Sequence, residues 1–173
     1  YTSAHLPEGM GLIAEVTGVL EPVMALIGYE TFALALYDEP DLIQAVFDRI
    51  EEIYTPVVQT VVQMDRVIAL WIGDDMGYKT GTMIGPDDLR NYVFPIHKRY
   101  ARIAHEHGKP YLLHSCGNLE AVMNDLIDDV KIDAKHSFED AIEPVESFAT
   151  RYGDRIGIIG GVDMDILARG TAE

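Results

Sequence analysis

An ordered alternation of apolar, strand-like runs with helix-like segments constrains this chain more than any other feature. Residues 67–72 form a continuous apolar run, which is typical of a strand buried on both faces of a parallel sheet. Shorter runs at 110–114, 132–136 and 156–161 predict three more strands, each followed by a helical segment. Strands that alternate with helices predict an α/β fold with a parallel sheet and right-handed crossovers.

The predicted helices lie before and between these strands. Residues 8–27 carry apolar side chains at helix-like intervals, with Pro22 expected to kink or break the helix. Asp38-Glu39-Pro40 predicts the start of a helix that runs to about residue 64. Further helices are predicted over 85–107, with Pro95 as a kink, and over 118–129, 139–152 and 163–169. We therefore expect one domain, 1–173, with a helical amino-terminal segment 1–66 and β/α units over 67–173.

Composition and charge exclude several classes of function. The 13 basic and 29 acidic residues give a formal charge of −16, which repels phosphate backbones and anionic lipid, so we expect no nucleic-acid and no membrane partner. No apolar stretch approaches the roughly 18–20 residues of a membrane span. A single cysteine permits no internal disulfide, which fits a cytoplasmic protein. The first residues match no signal peptide and lack an initiator Met, so we expect the chain to begin inside a longer protein.

Polar residues follow each predicted strand. Asp74 and Asp75 follow the first strand, His114 and Cys116 end the second, His136 and Glu139 follow the third, and Asp163 follows the fourth. The carboxyl ends of parallel strands form the active face of α/β folds, so these residues are expected to converge on one mouth. One such cluster means little, since Asp also caps helices, but four in succession predict a functional site.

His114 and Cys116 are the candidate metal ligands. They lie two positions apart at a strand end, where alternate side chains point to the same side, as two ligands of zinc require. The alternative is a buried structural cysteine beside a hydrogen-bonded histidine. Asp74, Asp75 or His136 would supply a third ligand, or a hydrogen bond that fixes the His114 tautomer.

The remaining candidates carry weaker signals. Asp74 and Asp75 would serve equally well as helix caps, and His136 as a hydrogen-bonded polar residue at a strand end. Tyr78 would line the mouth and, with Glu139 and Asp163, bind substrate, or it would act only as a lid. Asp163 precedes the last helix and is predicted to cap it. His97, His105 and His107 are expected to face solvent or the carboxyl end of their helix.

Two architectures fit the alternation: a doubly wound open sheet and a TIM (β/α)8 barrel. No GxGxxG or GxxxxGK[ST] loop follows any strand, which disfavours a nucleotide-binding open sheet. A set of short motifs gives further evidence about the fold. In order, they are Gly73-Asp-Asp-Met-Gly77, Thr80-Gly81, Ile84-Gly-Pro86, Pro95, His107-Gly-Lys-Pro110, His114-Ser-Cys-Gly117 and Gly160-Gly-Val-Asp163.

In order and spacing these motifs resemble the uroporphyrinogen decarboxylase superfamily, which also contains zinc-dependent corrinoid methyltransferases. The resemblance implies part of a (β/α)8 barrel, corresponding to the carboxyl-terminal part of the family domain. The decarboxylases bind a tetrapyrrole without metal through an amino-terminal arginine-rich segment that has no counterpart here. The methyltransferases carry a His-x-Cys pair at a strand end, matched by His114 and Cys116, and a later cysteine that would lie beyond Glu173.

Three functions therefore stand as hypotheses. The resemblance favours zinc-dependent transfer of a corrinoid-bound methyl group to a small thiol acceptor, with zinc as cofactor and a corrinoid protein as partner. Decarboxylation of a tetrapyrrole is the first alternative, and a non-catalytic barrel fragment that binds a ligand or a protein is the second. Because four strands cannot close a barrel of eight, we also expect a homo-oligomer that covers the open sheet.

Overall fold

A parallel sheet organises the computed structural model, which describes residues 5–170. The sheet has five strands in the order β1-β2-β5-β6-β7, and a separate antiparallel hairpin, β3-β4, follows β2. These elements span Leu12–Thr17 (β1), Val67–Gly73 (β2), Gly77–Tyr78 (β3), Gly81–Thr82 (β4), Tyr111–His114 (β5), Ala134–His136 (β6) and Gly157–Ile159 (β7).

Six helices longer than one turn are found among the described residues. They are α1 (Leu20–Ile27), α2 (Tyr29–Asp38), α3 (Pro40–Val62), α4 (Phe94–Glu106), α5 (Val145–Tyr152) and α6 (Met164–Arg169). A helical turn, Pro86–Asp88, and a π-turn, Leu89–Val93, lead into α4. A 3₁₀ turn, Glu120–Val122, an α turn, Met123–Asp125, and a π-turn, Leu126–Val130, follow β5.

The predicted strand arrangement is confirmed. β2, β5, β6 and β7 are parallel neighbours in sequence order, and β2 covers the apolar run that predicted it. This architecture is an α/β fold that forms part of a (β/α)8 barrel. The long helix α3 begins with Pro40 in its first turn, as the Asp38-Glu39-Pro40 sequence predicted.

The prediction of a helix over 8–27, and with it an all-helical segment 1–66, is wrong. Residues Leu12–Thr17 form the edge strand β1, which pairs in parallel with β2, and only Leu20–Ile27 is helical. Leu-Ile-Ala-Glu-Val-Thr satisfies both a helical and a period-two pattern, and pairing with β2 decides for the strand. Pro22 lies in the first turn of α1, where a missing backbone N–H costs nothing, so it breaks no helix.

Two other predicted helices are shorter or less regular than expected. The segment 118–129 is a succession of 3₁₀, α and π turns, and 139–152 becomes helical only from Val145. Pro95 lies in the first turn of α4, directly after the π-turn, and this π-turn takes the place of the predicted kink.

Among residues 5–170, helices pack against one face of the sheet and not against the other. The main core contains strand residues such as Val16, Leu70 and Leu113 together with residues of the helices. The opposite face carries a small apolar cluster of strand residues alone: Ala69, Leu112 and Ala134, with Trp71 and Ile159 packed against them. We call this second face the open face. Self-association through it stays a prediction.

No single helix among residues 5–170 is both long and apolar enough to cross a bilayer. Helices α1 and α2 meet that test only when taken together, and they are bent by 100° at their junction.

Candidate functional site

Three neighbouring strands bring His114 and His136 side by side at their carboxyl ends. Gly73 pairs with His114, and His114 pairs with His136. Strands in parallel register place aligned side chains on one face, and both imidazoles lie on the open face. Trp71 lies beneath them, with its ring centroid 6.2 Å from that of His114 and 4.8 Å from that of His136. The three rings form a partly exposed aromatic floor.

The residue that follows β2 and the residue that follows β5 turn towards the helices. Asp74 and Ser115 are both fully buried. Asp75 and Cys116 come one residue later, are partly exposed, and lie near His114. This alternation follows from the period-two geometry of extended backbone. It separates the two neighbouring aspartates onto different faces.

Asp75, His114 and Cys116 form a compact cluster of potential metal ligands. One ligand atom from each lies within 4.8 Å of the other two. His114 Nε2 is 3.4 Å from Asp75 Oδ1 and 3.6 Å from Cys116 Sγ. The backbone N–H of Cys116 also donates to Asp75 Oδ1 at 2.7 Å, which ties the two loops together. The structure brings His114 and Cys116 to one volume together with one of the two neighbouring aspartates, Asp75.

His136 contacts His114 from the side away from this cluster. The two Nδ1 atoms are 2.6 Å apart, so one ring donates its N–H to the lone pair of the other. Burial lowers the pKa of His136, and the nearby His114 and Lys135 lower it further. A neutral His136 can accept the Nδ1–H of His114. The free lone pair of His114 is then on Nε2, the nitrogen that faces Asp75 and Cys116.

The Cys116 thiol is not activated by its own surroundings. Burial raises its pKa, a hydrogen bond with Ser137 Oγ at 3.3 Å lowers it, and the nearby carboxylates of Asp75 and Glu139 raise it. A thiol in such a place is a weak free nucleophile at neutral pH, because the thiolate is the reactive form. It suits a ligand that loses its proton when a cation binds.

Asp74 lies outside this cluster, which corrects the expectation that it shares the site. Its carboxylate accepts the backbone N–H groups of Val19, Leu20 and Glu21 at 2.9–3.1 Å and thereby caps the start of α1. Burial alone would raise the pKa of Asp74, but the hydrogen bond and charge of His97 and these N–H groups hold it below its ordinary value. Its oxygens are occupied, so it is not placed to bind metal or substrate.

His97 is also buried, contrary to the expectation of a solvent-facing helical residue. Its Nε2 is 2.8 Å from Asp74 Oδ2, and its Nδ1 is 2.6 Å from the Tyr111 hydroxyl. All three side chains are fully buried. The other two histidines of this segment lie near the surface: His105 pairs with Asp133, and His107 contacts the Ile103 carbonyl.

Two glycines allow the loops after β2 and β5 to interlock. A Cβ on Gly77 would lie 2.6 Å from the Cys116 carbonyl oxygen, and one on Gly117 would lie 2.2 Å from the Gly77 backbone. Gly117 also has φ +81°, which disfavours other residues. The N–H of Gly77 donates to the Cys116 carbonyl, and that of Asn118 to the Tyr78 carbonyl. These contacts position Cys116 from its carboxyl side.

The three predicted substrate-binding residues are not members of the cluster. Tyr78 is 67% exposed on the hairpin, and Glu139 lines a cavity of about 370 Å³ between the loops after β5 and β6. Asp163 caps α6, as predicted, by accepting the N–H of Asp165, and it also accepts that of Asp140. Substrate binding by Tyr78, Glu139 and Asp163 stays a prediction.

Three further residues near the site, Glu21, Ser137 and Lys135, were not predicted from the sequence. Glu21 reaches the site because α1 begins beside the end of β2. Burial raises its pKa, the backbone N–H of Asp75 lowers it, and the charges of Asp75 and Asp74 raise it. A correct assignment of β1 would have placed Glu21 one residue inside the next helix, at the carboxyl end of the sheet. Ser137 and Lys135 flank His136, and no motif or spacing in the sequence indicated a role for either.

The donor set fits a borderline-soft divalent cation such as zinc. One carboxylate, one imidazole and one thiolate are ligand types that zinc binds, and three protein ligands leave a fourth position for a substrate, as in catalytic zinc sites. The paired His136 supplies the outer hydrogen bond that such histidine ligands commonly have.

One family model matches this chain over its whole length: residues 1–173 fit the model described as Uroporphyrinogen decarboxylase (URO-D). No curated protein and no solved structure matches the chain.

Proposed function

Because this chain belongs to the uroporphyrinogen decarboxylase family, we propose that it serves the zinc-dependent branch, which transfers a corrinoid-bound methyl group to a thiol acceptor. The observation that carries the proposal is the cluster of Asp75, His114 and Cys116, with one ligand atom of each within 4.8 Å of the others. It lies at the carboxyl ends of parallel strands, where such folds place their active sites.

Each residue of the site has a defined part in this proposal. Asp75, His114 and Cys116 hold the zinc, and His136 keeps the His114 tautomer by accepting its Nδ1–H. Zinc bound there would lower the pKa of an acceptor thiol and hold it as the nucleophilic thiolate. The Trp71 ring packs beneath both histidines and keeps water from that side of the imidazoles.

The charge of the site argues against tetrapyrrole decarboxylation. Glu15 Oε1 lies 4.0 Å from the position that a Cβ on Gly73 would occupy, at the end of β2. Glu21 lies close enough to Asp75 for the charge of Asp75 to raise its pKa. Three carboxylates therefore surround the end of β2, and they would repel a substrate that carries several carboxylates. The same charges attract a divalent cation. Decarboxylase activity remains the alternative, tested by incubating the chain with uroporphyrinogen and analysing the products.

Zinc content tests the proposal directly. After exposure to zinc and dialysis, we expect about one zinc per chain by mass spectrometry in the unaltered protein, since three ligands are in place. Cys116→Ser and His114→Ala should each lose most of it. The matched control is His105→Ala, which removes a histidine paired with Asp133 at the opposite end of the sheet.

Absence of zinc from the unaltered chain, or undiminished zinc in Cys116→Ser, would contradict the metal site. The reaction is tested by incubating the zinc-loaded chain with methylcobalamin and a panel of small thiols, with the methylated thiol detected by mass spectrometry. Bound zinc without thiol methylation would instead favour a non-catalytic binding role. The corrinoid protein would be the natural methyl donor and partner under this proposal.

A further inference from the structure

Lys135 is a buried cation that the proposed chemistry does not use. It lies between Ala134 and His136 on β6, its side chain turns to the helix-covered face, and it is only 4% exposed. Its ammonium group donates to three backbone carbonyls, those of Ser137 at 2.6 Å, Ser115 at 3.3 Å and His136 at 3.5 Å. These carbonyls lie just where the pairing of β5 with β6 ends.

We infer that Lys135 is a positioning residue that fixes the peptide group between Ser115 and Cys116, and so directs the Cys116 thiol towards the metal. The inference rests on the proposed metal site. The carbonyl of this peptide group accepts from Lys135, and its N–H donates to Asp75 Oδ1 at 2.7 Å. A peptide group is planar, so holding both ends sets its orientation and the position of the Cys116 Cα. The Cys116 carbonyl accepts the N–H of Gly77, so the residue is held on both sides and the direction of its Cα–Cβ bond is set.

The same ammonium group also holds the neighbouring loop. Ser137 has φ +81°, an uncommon conformation for a residue other than glycine, and its carbonyl accepts the shortest of the three Lys135 contacts. Its Oγ lies 3.3 Å from Cys116 Sγ. Lys135 thus supports the thiol from two sides, through the Cys116 peptide group and through the serine beside its sulfur.

The surroundings of Lys135 are otherwise apolar. Its Nζ lies 4.4 Å from the Phe138 ring centroid and 5.8 Å from that of Phe148. Burial lowers the pKa of Lys135 to about 8, although the nearby Cys116 and three carboxylates counteract this. A buried cation needs good hydrogen-bond partners to offset its loss of water, and the three backbone carbonyls are those partners, so the ammonium group and the loops after β5 and β6 hold each other in place.

Cobalt(II) spectroscopy tests the inference without an activity assay. A cysteine bound to Co²⁺ gives a thiolate-to-metal charge-transfer band, which reports on Cys116 itself. In Lys135→Met we expect a weaker band and an affinity for Co²⁺ about 10–100-fold lower, the loss typical of an outer-shell partner. Lys135→Arg, which keeps a cation and N–H donors, should retain the band.

Lys109→Met is the matched control. The Lys109 ammonium group donates to the Val67 carbonyl at the amino end of β2, so the substitution removes a similar contact at the opposite end of the sheet. Circular dichroism and thermal melting confirm that each variant is folded. Should Lys135→Met not fold, Lys135→Gln replaces it, because its amide can still donate to one carbonyl; its affinity should be intermediate.

The outcomes separate the two proposals. If unaltered protein gives no charge-transfer band, the metal site itself is wrong. If it gives the band and folded Lys135→Met, or Lys135→Gln in its place, binds Co²⁺ with unchanged affinity, the metal site stands and the role of Lys135 is overturned. Equal losses in Lys135→Arg and Lys135→Met would also overturn it, since donors would then not matter.

Discussion

Each face of the sheet has an aspartate–histidine pair at the carboxyl ends of the strands, but the two pairs lie in different environments. On the helix-covered face, Asp74 and His97 are fully buried, and the Asp74 carboxylate accepts three backbone N–H groups of α1. On the open face, Asp75 and His114 are partly exposed, and Asp75 accepts one backbone N–H, that of Cys116. Both faces thus hold an aspartate–histidine pair, and the pairs start from adjacent residues of one strand end.

The difference shows how burial divides structural from chemical roles. Buried carboxylates must be paired and hydrogen-bonded, and a fully satisfied carboxylate has no oxygen left for a ligand. Asp74 is such a group, so we assign it to stability. Asp75 keeps water access and lies beside two side chains that could also bind a cation, so it is the aspartate of the proposed metal site.

The largest effect is expected from Asp74→Ala. Removing one partner of this buried, hydrogen-bonded pair leaves His97 and three N–H groups without acceptors and should cost about 3–5 kcal/mol of unfolding free energy. Asp75→Ala should cost under about 1 kcal/mol, since partly exposed groups contribute little. Urea unfolding of the metal-free chains measures both. Equal losses would remove the distinction between the two faces.

Asp75→Ala should instead reduce zinc affinity. Loss of one of three ligands is expected to weaken binding by at least about 100-fold, the upper end of what losing an outer-shell partner costs. Isothermal titration at neutral pH measures the affinity, with Asp48→Asn on the exposed side of α3 as the control. Wild-type affinity in Asp75→Ala would show that the aspartate is not a ligand.

A smaller loss is expected for His136→Phe. The phenyl ring can still pack on Trp71 but cannot accept the Nδ1–H of His114, so zinc affinity should fall about 10–100-fold. His105→Ala serves again as the control. A loss as large as that of His114→Ala would indicate that His136 is itself a ligand.

The smallest effect is a pH dependence of stability. His136 has a lowered pKa when folded, so the unfolded chain binds its proton first as the pH falls. Its contribution to unfolding free energy is therefore present above 6.5, the ordinary value, and is lost as pH falls through the lowered folded-state pKa. Between pH 7 and 5, the unaltered metal-free chain should lose this part of its unfolding free energy, and His136→Phe should not. Urea unfolding at several pH values in this range measures both. Identical pH profiles would mean that His136 is not the titrating group.

Much of the architecture could be predicted from the sequence, because apolar residues recur at different intervals in strands and in helices. The strand over 67–72 and the later strands were predicted in their correct order, and His114 and Cys116 were placed on one side by their spacing of two. The strand Leu12–Thr17 was missed, because a short apolar run fits either period until a partner strand is known.

The sequence by itself determined the parallel α/β plan and the residue types at the strand ends, since both follow from local spacing along the chain. Only the tertiary structure decided which aspartate belongs to the site. Asp74 and Asp75 are neighbours in sequence, yet the N-terminus of α1 meets the one and the His114–Cys116 loop meets the other. Contacts between residues 40 or more positions apart made that choice, and local spacing carries no information about them.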